Sequence, residues 1–207
     1  MIIVIDYDAG NTANVLRALA AIGAEARLSA DPKEILAADG LILPGVGAFR
    51  TAMQELQKRD LIGPIQEAVS GGKPFLGICL GMQLLLEVGL ENGQTSGLGF
   101  IPGVCRRIPA RAGLPVPHMG WNDLQIQQAS ALTDRLQGEA VYFVHSYYTD
   151  VDQEYLDATA DYGFPVPAMI HKGSVFGCQF HPEKSGQVGL EILRNFKEYV
   201  YEDSTSD

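Results

Sequence analysis

Four short apolar runs, most of them followed by a turn and a helical pattern, constrain this chain more than any other feature. Ile2 to Ile5 is a continuous β-branched run, as a strand buried on both faces requires. It ends in a polar loop, Asp6-Tyr7-Asp8-Ala9-Gly10-Asn11. Asn11 is placed to cap a helix whose apolar stripe is Val15, Leu16, Leu19, Ala20 and Ile22. Gly23 ends that helix and Ala24 to Leu28 reads as the second strand. Asp31-Pro32-Lys33-Glu34 opens another helix, with a capping Asp, a Pro in the first position and a Glu three after the cap. Leu41 to Leu43 is the third strand and Phe75 to Ile78 the fourth. Helical patterns cover Phe49 to Lys58, Leu61 to Ser70 and Leu80 to Val88. This alternation predicts an α/β fold with a parallel sheet covered on both faces.

The second half changes character. Val104 to Ile108, Asn122 to Ile126, Val141 to Tyr148, Leu156 to Asp161 and Ala168 to His171 read as short strands between Gly- and Pro-rich turns. Lys172-Gly173-Ser174 predicts a hairpin turn into Val175 to Phe180. A last helix runs from Ser185 to Tyr201, and the acidic tail 202–207 is expected to fray. No repeat or low-complexity linker breaks the chain. Residues 1–207 therefore read as a single α/β domain with an antiparallel extension.

Composition narrows the function classes. The formal net charge is −10, with 15 Lys+Arg against 25 Asp+Glu. Binding to a nucleic-acid backbone needs the opposite balance, so a nucleic-acid ligand is not expected. Three Cys in 207 residues are too few and too odd for a disulfide framework, which points to a reducing cytosol. The N-terminal apolar run is too short for a signal peptide, and no stretch approaches a membrane span. The expectation is a soluble cytoplasmic protein with no membrane contact.

Gly77-Ile78-Cys79-Leu80-Gly81 is the sharpest local signal. It is the thiol form of the G-x-S-x-G nucleophile elbow, set between a buried strand and a helix. Small residues two before and two after the nucleophile clear a strained turn. The helix N-terminus favours thiolate, and the Leu80 amide can donate to an oxyanion. His181-Pro182-Glu183 supplies a base and a group to orient it, because residues two apart in extended chain point the same way. Cys105 and Cys178 read as ordinary buried thiols. His118, His145 and His171 lack a carboxylate at that spacing, and nothing has the spacing of a metal site. Pro44-Gly45-Val46-Gly47 reads either as an ordinary turn or as a loop bringing backbone amides to a substrate oxygen.

These residues, in this order, resemble the class I (triad-type) glutamine amidotransferases. The resemblance spans essentially the whole chain. Within the family, Pro44-Gly45-Val46-Gly47-Ala48-Phe49, His118-Met119-Gly120-Trp121-Asn122 and Tyr142-Phe143-Val144-His145-Ser146-Tyr147 are similar to the glutaminase subunits of imidazole glycerol phosphate synthases. Asp8 stands where many of these relatives carry Gly.

The resemblance implies a three-layer fold with a mostly parallel central sheet and an antiparallel extension. It implies a Cys79–His181–Glu183 triad without metal or cofactor, and an oxyanion hole at Val46, Gly47 and Leu80. Gly47, Gln83, Glu91, Tyr142, Ser146 and Tyr147 match positions around bound glutamine. Glu91 reads equally as a solvated helix-end carboxylate, and the tyrosines and Ser146 equally as strand packing. The implied partner is a (β/α)8-barrel cyclase subunit in a heterodimer, with Asn11, Asn14, Met119 and Trp121 on the docking face. A lone Trp is as often core. Val46 between two glycines can rotate its peptide, so the oxyanion hole is expected to stay unformed until the cyclase binds its ligand. The alternatives are the glutaminase subunit of another synthase (anthranilate, purine or pyridoxal phosphate), a non-catalytic module of the same fold, or a different Cys hydrolase.

Overall fold

The computed structural model describes residues 1–8, 10–110 and 113–202. Ala9 of the first loop and the expected frayed tail from 203 onward lie outside the described residues; Glu202 is still helical. The first half contains β1 (Ile2–Ile5), α1 (Thr12–Ala21), β2 (Ala26–Ser29), α2 (Pro32–Ala37), β3 (Gly40–Leu43), α3 (Phe49–Lys58), α4 (Ile62–Ser70), β4 (Phe75–Ile78) and α5 (Leu80–Leu84). Then follow β5 (Leu86–Gly89), β6 (Thr95–Ser96), β7 (Ile101–Arg107), β8 (His118–Ile126), β9 (Ala140–His145), β10 (Tyr147–Asp150), β11 (Leu156–Asp161), β12 (Pro165–Lys172), β13 (Val175–Cys178) and α6 (Gly186–Glu202).

Nine strands form one sheet in the order β2-β1-β3-β4-β13-β12-β11-β8-β9. The β2 to β13 part is parallel throughout. From β13 to β9 every pairing is antiparallel, so the expected extension is as large as the parallel half. Successive residues of β1 go to opposite sides: Ile2 and Val4 pack with α1 and α6 residues Val15, Leu19, Ile192 and Phe196. Ile3 and Ile5 pack with Ile35, Phe49, Leu56 and Ile65 from α2, α3 and α4. Both faces of the sheet are buried, which is why the run carries no polar residue. Among the described residues, no helix is long and apolar enough to cross a membrane.

Local chemistry decides several boundaries. Asp31 caps α2, its Oδ1 accepting from the Lys33 amide at 2.8 Å, with Pro32 in the first turn. Asn11 stands at the N-cap of α1 but does not cap it; its φ is 76° and its side chain turns elsewhere. The helix expected over Leu80 to Val88 stops at Leu84. Leu86 to Gly89 instead forms β5, in a second sheet of order β10-β7-β5-β6. The sequence LLLEVGL suits either element, and pairing with β7 decides it. Val141 to Tyr148 is also not one strand: the chain leaves the large sheet at His145 and joins the small one at Tyr147, so Ser146 is a hinge between sheets.

Candidate active site

β4 ends at Ile78 and α5 starts at Leu80, so Cys79 alone makes the corner. Its backbone is at φ 55°, ψ −110°, a strained region for a side-chain-bearing residue that costs on the order of 1–3 kcal/mol. The corner is held by the Cys79 amide, which donates to the Cys178 carbonyl at 2.8 Å, and by the Met82 amide, which donates to the Cys79 carbonyl at 3.1 Å. Glycine at both flanks is required by close approach. A Cβ on Gly77 would lie 2.6 Å from the Gly81 carbonyl oxygen, and one on Gly81 would overlap the Leu43 carbonyl. α5 is only five residues long, so the helix credited with polarising the thiol is shorter than the sequence reading expects.

His181 follows β13 and is buried beside the thiol. Its Nδ1 lies 2.7 Å from Glu183 Oε1, and both side chains are at most 2% exposed. Ser185 fixes the backbone here: its hydroxyl donates to the His181 carbonyl at 2.7 Å and accepts from the Tyr142 amide at 3.0 Å. The His181 amide donates to the Tyr142 carbonyl at 3.0 Å. Burial alone would lower the imidazolium pKa, but the hydrogen bonds and charges of Cys79 and Glu183 outweigh it and raise it to about 9. At neutral pH His181 therefore holds a proton.

Two contacts at this site were not read from the sequence. Asn11 donates from Nδ2 to Glu183 Oε1, the same oxygen that holds His181. Asn14 in turn donates to Asn11 Oδ1. Gln179 is fully buried and donates from Nε2 to Cys79 Sγ at 3.8 Å. Only a match between segments 100 or more residues apart could have found either contact.

Cys79 and His181 open onto a cleft of about 390 Å³, whose wall includes Val46, Gly47, Leu80 and Gln83. Glu91, Ser146 and Tyr147 complete the part expected from sequence; Lys184, Pro117, Val144 and His145 also line it. Glu91 is on no helix: its Oε2 accepts from the Phe49 amide at 2.8 Å, at the start of α3. Both hydrogens of the Gln83 amide are spent inside the protein, so toward a ligand it can act only as an acceptor. Tyr142 does not line the cleft. Its backbone supports His181 and its ring lies 6.0 Å from that of Trp121. The Leu80 amide, expected in the oxyanion hole, donates to the Gly45 carbonyl at 3.3 Å. Cys105 and Cys178 are buried and their thiol pKa values pushed up by burial, as inert thiols should be.

β8 alternates in exposure. His118 and Leu124 face inward, while Met119 and Trp121 point to solvent at 60% and 57% exposure. The sole Trp is thus a surface residue.

The model of the glutamine amidotransferase class-I family matches residues 3–199. The chain belongs to the class I glutamine amidotransferase family. This amidotransferase is 80% identical over 204 residues to the imidazole glycerol phosphate synthase subunit HisH of Streptococcus sanguinis, covering 99% of each chain. It is 55% identical to the protein of the same name from Listeria monocytogenes, covering 97% of each. Among solved structures it is similar to PurLQS from Thermotoga maritima, with TM-score 0.75 and 19% identity, covering 96% of this chain and 98% of that one. A further glutamine amidotransferase structure matches at TM-score 0.75 and 17% identity, covering 97% and 98%. At these identities the structures establish the amidotransferase fold.

Proposed function

We propose that this chain is the glutaminase subunit of an imidazole glycerol phosphate synthase, with Cys79, His181 and Glu183 as its catalytic triad. The Cys79 thiolate attacks the side-chain amide carbon of glutamine, and the carbonyl oxygen becomes an oxyanion. His181, protonated at neutral pH, gives its proton to the amide nitrogen. The C–N bond breaks and ammonia leaves, with the glutamyl group held as a thioester on Cys79. Water then loses a proton to His181 and attacks the thioester, which releases glutamate and restores the thiolate–imidazolium pair. Glu183 orients His181 throughout. Gln83 and Glu91 receive the α-ammonium group of the substrate, since both present acceptors to the cleft.

The ammonia passes to a (β/α)8-barrel cyclase, which makes imidazole glycerol phosphate and aminoimidazole carboxamide ribotide in histidine biosynthesis. Met119 and Trp121 form part of the docking face, with Asn11 and Asn14 at its α1 side. The oxyanion hole uses Leu80 and the Val46-Gly47 turn. The bond from the Leu80 amide to Gly45 supports a resting state in which that donor is occupied until the turn moves.

The observation that carries this reading is the strained Cys79 beside a His181 that holds its proton. A glutamine-analogue electrophile tests it. The expected result is one covalent label per chain, on Cys79, prevented by glutamine. A label absent from Cys79, or insensitive to glutamine, would contradict it and favour a different Cys hydrolase.

A further inference from the structure

The buried polar groups beneath the cleft force an arrangement that the triad does not account for. The Tyr147 carbonyl oxygen can only accept. It lies 3.1 Å from Gln83 Nε2 and 2.7 Å from His145 Nδ1. Gln83 must therefore present its NH2 end there. The same NH2 meets the Gln179 side chain at 3.1 Å, so Gln179 must present its carbonyl oxygen to Gln83. That leaves the Gln179 NH2 on the other side, against Cys79 Sγ at 3.8 Å. His145 strengthens the anchor: burial lowers its imidazolium pKa to about 3, so it is a neutral ring with its hydrogen on Nδ1. Gln179 is 0% exposed and Gln83 5%, so water cannot easily substitute for these bonds.

We propose that Gln179 is a positioning residue for the nucleophile, whose amide N–H stabilises the Cys79 thiolate and aims it into the cleft, its orientation locked by Gln83 and the Tyr147 carbonyl. The proposal rests on the reading of Cys79 as the nucleophile. It also gives Gln83 a second task beyond the ligand. A free amide beside a sulfur could turn either end toward it, and a carbonyl oxygen there would repel a thiolate. The clamp removes that choice. With α5 only five residues long, an oriented N–H at the sulfur adds to what the His181 imidazolium supplies.

Alkylation by iodoacetamide at pH 7, read residue by residue by mass spectrometry in the full chain, tests this. Gln179→Met keeps the volume and removes the amide. Loss of one hydrogen bond to a charged group slows Cys79 alkylation about tenfold. Gln179→Glu, which puts a carboxylate oxygen at the sulfur, slows it further. Gln83→Met leaves Gln179 in place but unclamped, and produces a smaller slowing in the same direction; this arm decides the matter should a Gln179 variant fail to fold. Folded Gln179→Met or Gln83→Met that alkylates at the wild-type rate at pH 7 would overturn the proposal. A wild-type Cys79 no more reactive than Cys105 and Cys178 would instead overturn the nucleophile reading on which it rests.

Discussion

His181 is two residues from Glu183, and its raised pKa has a direct consequence for activity. In the proposed mechanism the protonated ring is the acid that ammonia leaves with, so hydrolysis needs the imidazolium. Its folded pKa of about 9 lies above the ordinary value of 6.5. The stabilising interaction is therefore fully present below pH 6.5 and is lost as pH rises through about 9. A pH–rate profile of glutamine hydrolysis should fall on its alkaline side near that pH, and an Asn11→Ala variant, with one bond fewer on Glu183, should show a lower maximum. A rate still climbing at pH 10 would contradict this assignment of the acid. The His–Glu pair was legible from its spacing, but not for the reason expected: Pro182–Lys184 is a 3-10 turn rather than extended chain, and the turn brings Glu183 back onto His181. Asn11 and Gln179 were not, because 172 and 100 residues separate them from their partners and only the folded sheet brings them together. Asn11 also misled locally: it was expected to cap α1, but the helix forms without that cap and the side chain is used on Glu183.

The elbow between β4 and α5 is the element on which the site depends. Its two glycines are dictated by backbone atoms rather than by flexible side chains, so they cannot be relieved by repacking. Gly81→Ala should cost about 3 kcal/mol or more in a denaturant titration, because the new methyl meets the Leu43 carbonyl and β3 must move. An unchanged midpoint would show that the corner is looser than described. The first-half strands and most helices could be read from hydrophobic period and caps, which are local. The end of α5 could not, since LLLEVGL carries apolar residues compatible with both periods and the choice falls to its partner β7. The break at Ser146 has the same origin. Nothing in YFVHSY marks a change of sheet, yet that change brings Ser146 and Tyr147 to the cleft.

At the scale of the whole molecule, the acidic charge fits the proposed division of labour between this chain and a partner. A chain with net charge −10 is a poor host for a phosphorylated nucleotide, and the roles proposed for Gln83 and Glu91 in the cleft suit an amino acid instead. The parallel half of the sheet carries Cys79 and the antiparallel half ends in the β8–β9 pair, where β8 bears the exposed Met119 and Trp121. One sheet thus spans from the nucleophile to the proposed docking face. The central claim is a glutaminase that works for a partner, with Cys79 as nucleophile. Ammonia release from glutamine, measured for the chain alone and with the cyclase and its nucleotide ligand, tests it most directly. The account predicts low activity alone, strong stimulation by the liganded partner, and loss of about 10³-fold or more in Cys79→Ala under both conditions. Full activity without the partner, or hydrolysis that survives Cys79→Ala, would contradict it.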